Sequence, residues 1–211
     1  SSKGAAEIAI ASWRRSFFNP VDYGMKHHVA LASVRAGNVI GGGDWALDRI
    51  IPDCIKALEA GKDIDIRSPK AIRPWQHVLE PLSGYMLLAT KMWEEPTKYC
   101  EGWNFGPRAE SITPVWDIAT DVIKIYGSGK LNDMSNPNVL HEAKLLMLDI
   151  SKAKFQLGWE PRMNIHRCIE LTVDWYKRYK TEDAYDICLD EINQFINCLL
   201  YTSPSPRDTE R

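Results

Sequence analysis

Three short apolar runs in this chain each lead into a loop that carries an arginine or an asparagine. The three blocks that contain these transitions are residues 35–45, 72–78 and 103–107. Strands of a parallel sheet are short continuous apolar runs, and ligands of open α/β sheets bind at the carboxyl ends of such strands. Arginine and asparagine side chains donate hydrogen bonds, and three of them at matching strand ends can converge on one anionic group. The pattern therefore predicts an α/β chain with a binding site for an anionic ligand.

Segments with helical periodicity alternate with strand-like segments along the rest of the chain. Residues 29–34 form an apolar run expected of a strand buried on both faces. Thr113 followed by Pro114 is typical of a helix start. Helical spacing of apolar residues occurs in segments that include 4–18, 49–60, 79–93 and 165–179. Because strands and helices alternate, the α/β class is predicted.

Composition argues against several classes of protein. The chain has 211 residues, of which 45% are hydrophobic, so it can bury a sizeable core and disorder is not expected. Its apolar runs are shorter than the roughly 18 residues that a membrane-spanning helix needs. A formal net charge of -2 gives no basic surface for nucleic acid. The five cysteines include no Cys-x-x-Cys pair, so we expect free thiols in a reducing cytoplasm and no metal site.

Four blocks of the sequence resemble a known enzyme family. They are residues 34–49, 72–84, 102–107 and 141–161, and they contain an Arg-x-x-Asn turn, an Arg-x-Trp-x-x-Val strand and an Asn-x-Gly turn. In this order they resemble the extended short-chain dehydrogenases that act on nucleotide-diphosphate sugars, and among these the 4,6-dehydratases of CDP-glucose. The resemblance spans roughly residues 1–197. It implies the carboxyl-terminal part of a Rossmann-type parallel sheet with a smaller mixed α/β substrate-binding lobe.

The resemblance also implies which part of the enzyme this chain represents. Lys3 matches the lysine of the family's Tyr-x-x-x-Lys signature, and the tyrosine would lie two positions before Ser1. No Gly-x-Gly-x-x-Gly or Gly-x-x-Gly-x-x-Gly turn occurs in the sequence. We therefore expect a carboxyl-terminal fragment that lacks the general base, has little affinity for NAD and is inactive by itself.

Domain boundaries follow from the same resemblance, because chains of the family pass between their two lobes more than once. Residues 1–43 and 79–107 match the NAD-binding Rossmann core. Residues 44–78 and 110–197 match the nucleotide-sugar lobe. The three consecutive glycines at 41–43 are not followed directly by a helix, so we expect a flexible joint between the lobes rather than a phosphate-binding turn.

Residues 198–211 differ in composition from the rest of the chain. Two Ser-Pro pairs in a polar stretch disfavour helix and strand alike. We predict a non-native or disordered tail, and a phosphorylated Ser-Pro segment is the alternative.

Two residues are expected to serve the cofactor. In the family, the lysine equivalent to Lys3 donates to the ribose hydroxyls of NAD, and its charge lowers the pKa of the signature tyrosine from about 10. The backbone at the position of Ala36 meets the nicotinamide amide. Without the resemblance, a single lysine near a chain start is an ordinary solvated residue. The resemblance therefore makes Lys3 a catalytic and cofactor-binding candidate and Ala36 a cofactor-binding candidate.

Three residues are expected to bind the substrate diphosphate. The guanidinium of Arg73 can form two parallel hydrogen bonds with phosphate oxygens, and the side-chain amide of Asn38 can donate another. By resemblance, Asn104 also faces the diphosphate. The alternatives are that Arg73 is a surface arginine and that Asn38 only forms a turn.

Three further residues are expected on the nucleoside or sugar side. By resemblance, Arg49 and Ile50 begin the helix that flanks the nucleoside. His141 with the following glutamate matches the CDP-glucose dehydratase pattern, which makes it a substrate-side candidate. His77 lies beside apolar neighbours, and such a histidine is more often structural than catalytic.

For the intact protein the resemblance implies an NAD-dependent lyase that converts CDP-glucose to CDP-4-keto-6-deoxyglucose and water without net oxidation. Another nucleotide-sugar dehydratase or epimerase of the superfamily, or a non-catalytic nucleotide-sugar binding module, remains an open alternative. The resemblance also implies a homodimer whose interface includes the helix from Gly4. Along that helix Ala5, Ala6 and Ala9 are small enough for close helix approach.

Overall fold

The computed structural model of the chain describes residues 2–136 and 147–202. In chain order, its helices are α1 (Ser2–Ser16), α2 (Ile50–Glu59), α3 (Leu79–Glu94), α4 (Val115–Tyr126), α5 (Ile165–Arg178) and α6 (Ala184–Thr202). Its strands are β1 (Ser33–Ala36), β2 (Asn38–Ile40), β3 (Ile64–Ile66), β4 (Ile72–Arg73), β5 (Trp75–His77), β6 (Gly102–Phe105), β7 (Thr113–Pro114) and β8 (Leu131–Asp133).

These strands form pairs in which the partners are distant in sequence. Pairs β1–β6, β2–β5 and β3–β8 are parallel, and β4–β7 is antiparallel. Parallel partners must be joined by long crossover connections, and here the connections contain helices. The predicted α/β class is confirmed.

Two structural units divide the chain, and each has its own hydrophobic core. The first unit comprises Ser1–Ala36, Pro81–Gly106 and Leu148–Glu160. The second unit comprises Gly37–Glu80, Pro107–Met147 and Pro161–Arg211. The chain enters each unit more than once.

The first unit is built around the parallel pair β1–β6. Trp103 and Phe105 of β6 are buried, and the ring of Phe105 meets that of Trp159 edge to face at 4.9 Å between centroids. Gly84 of α3 packs on Phe105 so closely that a Cβ there would lie 2.2 Å from the ring. The segment Leu148–Glu160, which the sequence analysis assigned to the second lobe, joins this core because its apolar side chains pack against β6.

The core of the second unit lies among α2, α4 and α5 and the pair β2–β5. Helix α5 packs against α4 and β5, and α2 packs against α4 and β3. The fully buried side chains of this core include Cys54, Ile55, Ile118, Val122, Ile169, Val173 and Ile187.

Two local expectations differ from the structure. The predicted strand at 29–34 is observed at Ser33–Ala36, because main-chain pairing with β6 runs from Ser33 to Ala36 and includes the polar Arg35. Thr113 and Pro114 do not begin a helix. They pair with β4 as β7, and α4 begins at Val115 with Pro114 as its N-cap residue.

Helix α6 extends into the segment that the sequence analysis treated as a tail. Its backbone is helical through Thr202, and residues 203–211 lie outside the described part of the chain. Ile187 and Phe195 place an apolar face of α6 in the core of the second unit. Among the described residues, no helix is long and apolar enough to cross a membrane.

Glu191 of α6 is a buried carboxyl group in the second unit. It is 6% exposed, and its Oε1 has no hydrogen-bond partner within the described residues. The neighbouring Arg178 is already paired with Asp174, Glu182 and Asp190 at 3.3, 2.7 and 2.8 Å. Burial first, and then the negative charge of Asp174, raise the pKa of Glu191 to about 7. The ionised form is therefore costly in the folded state.

This environment predicts a pH-dependent stability. Because the pKa of Glu191 is higher in the folded than in the unfolded chain, the folded state binds more protons between about pH 4.5 and about pH 7, and stability falls as the pH rises through that window. We expect Glu191→Gln to raise the free energy of unfolding by on the order of 2 kcal/mol at about pH 8 and to have little effect near pH 4.5. Urea unfolding at both pH values measures this.

Glu182→Gln is the control for the Glu191 prediction. The pairing of Glu182 with Arg178 lowers the pKa of Glu182, so its replacement should not stabilise the chain at about pH 8. If Glu191→Gln and the parent chain had the same free energy of unfolding at about pH 8, Glu191 would carry no buried charge.

Candidate functional site

Two of the predicted residues, Ala36 and Asn104, lie on neighbouring strands near the carboxyl end of the pair β1–β6 in the first unit. The parallel register places Arg35 opposite Asn104 and Ala36 opposite Phe105. Asn104 donates from Nδ2 to the main-chain oxygen of Asp149 at 3.0 Å. Its Oδ1 is buried and has no hydrogen-bond partner among the described residues. A primary amide has two N–H donors, so Asn104 keeps one donor and its acceptor for another group.

Lys3 belongs to the same unit and lies in the first turn of α1. Its side chain is exposed, and Glu7 follows one helical turn later on the same face. Glu7 accepts a hydrogen bond from the hydroxyl of Ser33 at 2.8 Å and lies 3.7 Å from the guanidinium of Arg35. The sequence analysis missed Glu7, although its spacing of four residues from Lys3 was a signal that the two share a helix face.

Asn38 and Arg73 come together in the second unit. The main-chain N–H of Asn38 donates to the oxygen of Pro74 at 2.9 Å, and Asn38 lies opposite Trp75 in the parallel pair β2–β5. Arg73 directly precedes Pro74 and is half-buried, with Nη1 2.9 Å from the main-chain oxygen of Ile72. The structure therefore places Asn38 and Arg73 on adjacent backbone segments.

Arg49 and Ile50 lie at the start of α2 in the same unit. Arg49 is the N-cap residue, its side chain makes no cap hydrogen bond, and its guanidinium lies 3.5 Å from the carboxylate of Asp44. Ile50 is half-buried against the core. Asp48, just before them, has the left-handed φ of 58° and pairs with Arg67 at 2.6 Å. His141 lies outside the described residues.

The glycine-rich segment at 41–43 is firmly packed rather than a flexible joint. A Cβ at Gly42 would lie 2.0 Å from the indole ring of Trp175, so only glycine permits this approach. The hydroxyl of Tyr176 donates to the main-chain oxygen of Asp44, which holds the end of the segment. The expectation of flexibility was wrong because the packing partners lie on α5, far along the chain.

His77 is fully buried beside this segment. Burial, and to a lesser extent the positive charge of Arg167, lower the pKa of His77 to about 4. Its Nδ1 accepts from the main-chain N–H of Leu79 at 3.4 Å, and its Nε2 has no partner in the described part of the chain. A neutral imidazole without solvent access is a structural residue here, as the sequence analysis expected. No group of residues able to hold a metal ion occurs among the described residues.

The sequence of the chain is similar to that of a characterised enzyme. It is 46% identical over 198 residues to the CDP-glucose 4,6-dehydratase of Salmonella typhimurium strain LT2. The alignment covers 93% of this chain and 55% of that protein, so the chain spans about half the length of this curated relative. No protein-family model matches the chain. The similarity to CDP-glucose 4,6-dehydratase expected from the sequence is confirmed.

Solved structures share the fold at low sequence identity. The dTDP-glucose 4,6-dehydratase of Bacillus anthracis strain Ames, solved with NAD, matches with a TM-score of 0.67 and 18% identity over 84% of this chain and 51% of that one. The UDP-glucuronic acid 4-epimerase of Bacillus cereus, solved with UDP-glucuronic acid and NAD, matches with a TM-score of 0.64 and 21% identity over 82% and 50%. These matches confirm that the chain has the fold of part of a Rossmann-type dehydratase or epimerase.

The packing of Gly42 predicts a large cost for a single methyl group. We expect Gly42→Ala to lower the free energy of unfolding by about 2 to 3 kcal/mol, because the Cβ overlaps the ring of Trp175. Gly4→Ala is the matched control, since a Cβ at Gly4 meets no atom within 4 Å and alanine favours the helix. Chemical unfolding of both variants measures the difference. Equal stability of the two variants would mean that Trp175 does not cover Gly42.

Proposed function

We propose that this chain is part of an NAD-dependent nucleotide-sugar 4,6-dehydratase whose substrate is CDP-glucose. The observation that carries the proposal is the 46% identity with the Salmonella enzyme of that name over nearly the whole chain. The hydrogen-bond donors of Asn104 in the first unit, and of Asn38 and Arg73 in the second unit, support it. The reaction converts CDP-glucose to CDP-4-keto-6-deoxyglucose and water.

The first unit supplies residues suited to NAD. Lys3 is an exposed cation at the start of α1. Asn104, proposed for the substrate diphosphate, has unused hydrogen-bonding capacity at the end of β6. When bound, NAD would supply a reversible hydride acceptor for the sugar. Lys3 holds ribose hydroxyls and stabilises a nearby phenolate, which lowers the pKa of that phenol below about 10. The backbone of Ala36 orients the nicotinamide amide.

The second unit supplies residues suited to the nucleotide sugar. Arg73 forms paired hydrogen bonds with the diphosphate, and the side chain of Asn38 donates to the same group. Arg49 and Ile50 flank the nucleoside. By resemblance, His141 is proposed for the substrate side as well.

We also propose that the whole enzyme is cytoplasmic and a homodimer. Ala5, Ala6 and Ala9 of α1 are all exposed in the structure, and with them Ile8, which is 74% exposed. An exposed face that combines small and large apolar side chains suits close packing with another helix. The partner in this proposal is a second copy of the same protein.

A second candidate is another nucleotide-sugar enzyme of the same fold. The TM-score of 0.64 with a UDP-glucuronic acid 4-epimerase favours it over unrelated functions, since dehydratases and epimerases share this architecture. A binding module without catalysis is the third candidate. The three differ in which nucleotide sugar is consumed and whether it is consumed at all.

The experiment that tests the proposal is a chimera. The part of the Salmonella enzyme that the alignment leaves uncovered is joined to this chain, and formation of 4-keto sugar from CDP-glucose is followed. We expect turnover by the chimera, a loss of at least about 100-fold with Lys3→Met, and no turnover by the chain alone.

Two other outcomes of the chimera experiment contradict the proposal. Faster turnover of dTDP-glucose or UDP-glucose than of CDP-glucose identifies the second candidate. A folded chimera that binds CDP-glucose without consuming it identifies a binding module.

Arg73 provides an independent test of the substrate site. In the chimera, Arg73→Ala removes a charge-assisted contact to the diphosphate and should weaken CDP binding by about 2 kcal/mol, roughly 30-fold. NAD content should hardly change. Lys70→Ala is the matched control, because Lys70 is an exposed cation three residues away. Calorimetric titration with CDP measures both variants, and equal affinities would reduce Arg73 to a surface arginine.

A further inference from the structure

Polar contacts attach α1 at two levels, to β1 and to the residues just before it, in the first unit. Near the end of the helix, Nε of Arg14 donates to the main-chain oxygen of Leu31 at 2.8 Å. Two turns earlier, the carboxylate of Glu7 accepts from Ser33 Oγ at 2.8 Å and lies 3.7 Å from Arg35 Nη1. No residue of α1 is buried. Apolar packing within this unit therefore does little to fix the position of the helix along the strand, and the polar contacts set its register.

The spacing of these contacts fits a helix that runs antiparallel to the strand. Seven residues of helix, from Arg14 back to Glu7, advance about 10 Å. From Leu31, just before β1, to Ser33 and Arg35 in β1 is two to four residues, which at the rise of a strand advance about 7 to 13 Å. The two distances match. Lys3 lies four residues before Glu7, about 6 Å further along the helix. In this antiparallel arrangement, Lys3 is level with the backbone just beyond Arg35.

The environment of Arg35 makes Glu7 its main charged partner. Arg35 Nε is buried and has no hydrogen-bond partner among the described residues. On the neighbouring strand, Gly102 leaves room for the guanidinium, because a Cβ there would lie 2.6 Å from Arg35 Nη2. Side chains alternate along a strand, so Ser33 and Arg35 point to the same side while Ala36 points away. Ala36 consequently presents its backbone, not its methyl group, to the side on which α1 lies.

We propose that Glu7 is a positioning residue that sets the register of α1 on β1 and so holds Lys3 beside the backbone of Ala36. Its role in catalysis rests on the proposed function, in which Lys3 and Ala36 serve the cofactor. Glu7 touches neither substrate nor cofactor. It acts through its contacts with Ser33 and Arg35.

The placement is tested on the chain itself by NMR. In deuterated chain with protonated lysine, we expect nuclear Overhauser effects between the Lys3 side chain and the Ala36 amide. Glu7→Ala should abolish them. Arg14→Ala removes the other contact between the same helix and strand, at the end far from Lys3, and should retain them. Glu7→Gln keeps an acceptor for Ser33 and should retain part of their intensity.

The functional consequence is tested in the chimera by the pH profile. Displacing Lys3 lets the phenol pKa rise, so Glu7→Ala should move the rising limb of kcat by about one pH unit to higher pH, with the KM for CDP-glucose unchanged. Arg14→Ala should leave the limb in place. A chimera without any activity would refute the proposed function, and the NMR result would still decide the role of Glu7. The positioning role would be overturned if Glu7→Ala retained the Overhauser effects. It would also be overturned if Glu7→Ala and Arg14→Ala changed them equally.

Discussion

The parallel pairing of strands that are distant in sequence is the constraint on which the candidate site depends. Main-chain hydrogen bonds align β1 with β6 and β2 with β5 in fixed register. A shift by one residue would turn every side chain of a strand to the opposite face. The register therefore decides that Asn104 lies opposite Arg35 and that Asn38 lies beside the segment bearing Arg73.

Close approach of backbone and aromatic rings holds these pairs in place. Gly84 lies against Phe105 in the first unit, and Gly42 lies against Trp175 in the second. At Gly37 a Cβ would come within 2.5 Å of the main-chain oxygen of Pro74, next to Arg73. Because these glycines have no side chain, the neighbouring groups can approach their backbone closely.

Local sequence patterns were sufficient to predict the class of the fold and most of the helices. The spacing of apolar residues predicted α2 and α3 closely, and Gly61, with its φ of 64°, ends the former as expected. The sequence analysis placed Asn38 and Arg73 at the carboxyl ends of strands, whereas Asn38 is the first residue of β2 and Arg73 lies in β4, just before β5. What the local pattern could not supply was the identity of long-range partners.

Three residues show where that limit lies. Gly42 was predicted to be flexible because its packing partner, Trp175, lies far along the chain. Glu7 was not singled out in the sequence because its partners Ser33 and Arg35 become neighbours only when the helix docks on the strand. Glu191 occupies an inward-facing position of α6, where a carboxyl group interrupts the apolar pattern that would have identified the helix. In each case tertiary contacts decided the role of the residue.

The central claim is that the second unit binds the diphosphate of a cytidine nucleotide through Arg73 and Asn38. Titration of the chain with CDP, followed by NMR at the Arg73 Nε–H and the Asn38 side-chain amide, tests it most directly. The account predicts that both signals shift with one common saturation curve and that cytidine without phosphate leaves Arg73 unmoved. Shifts confined to exposed lysines, or an identical response to cytidine, would contradict it.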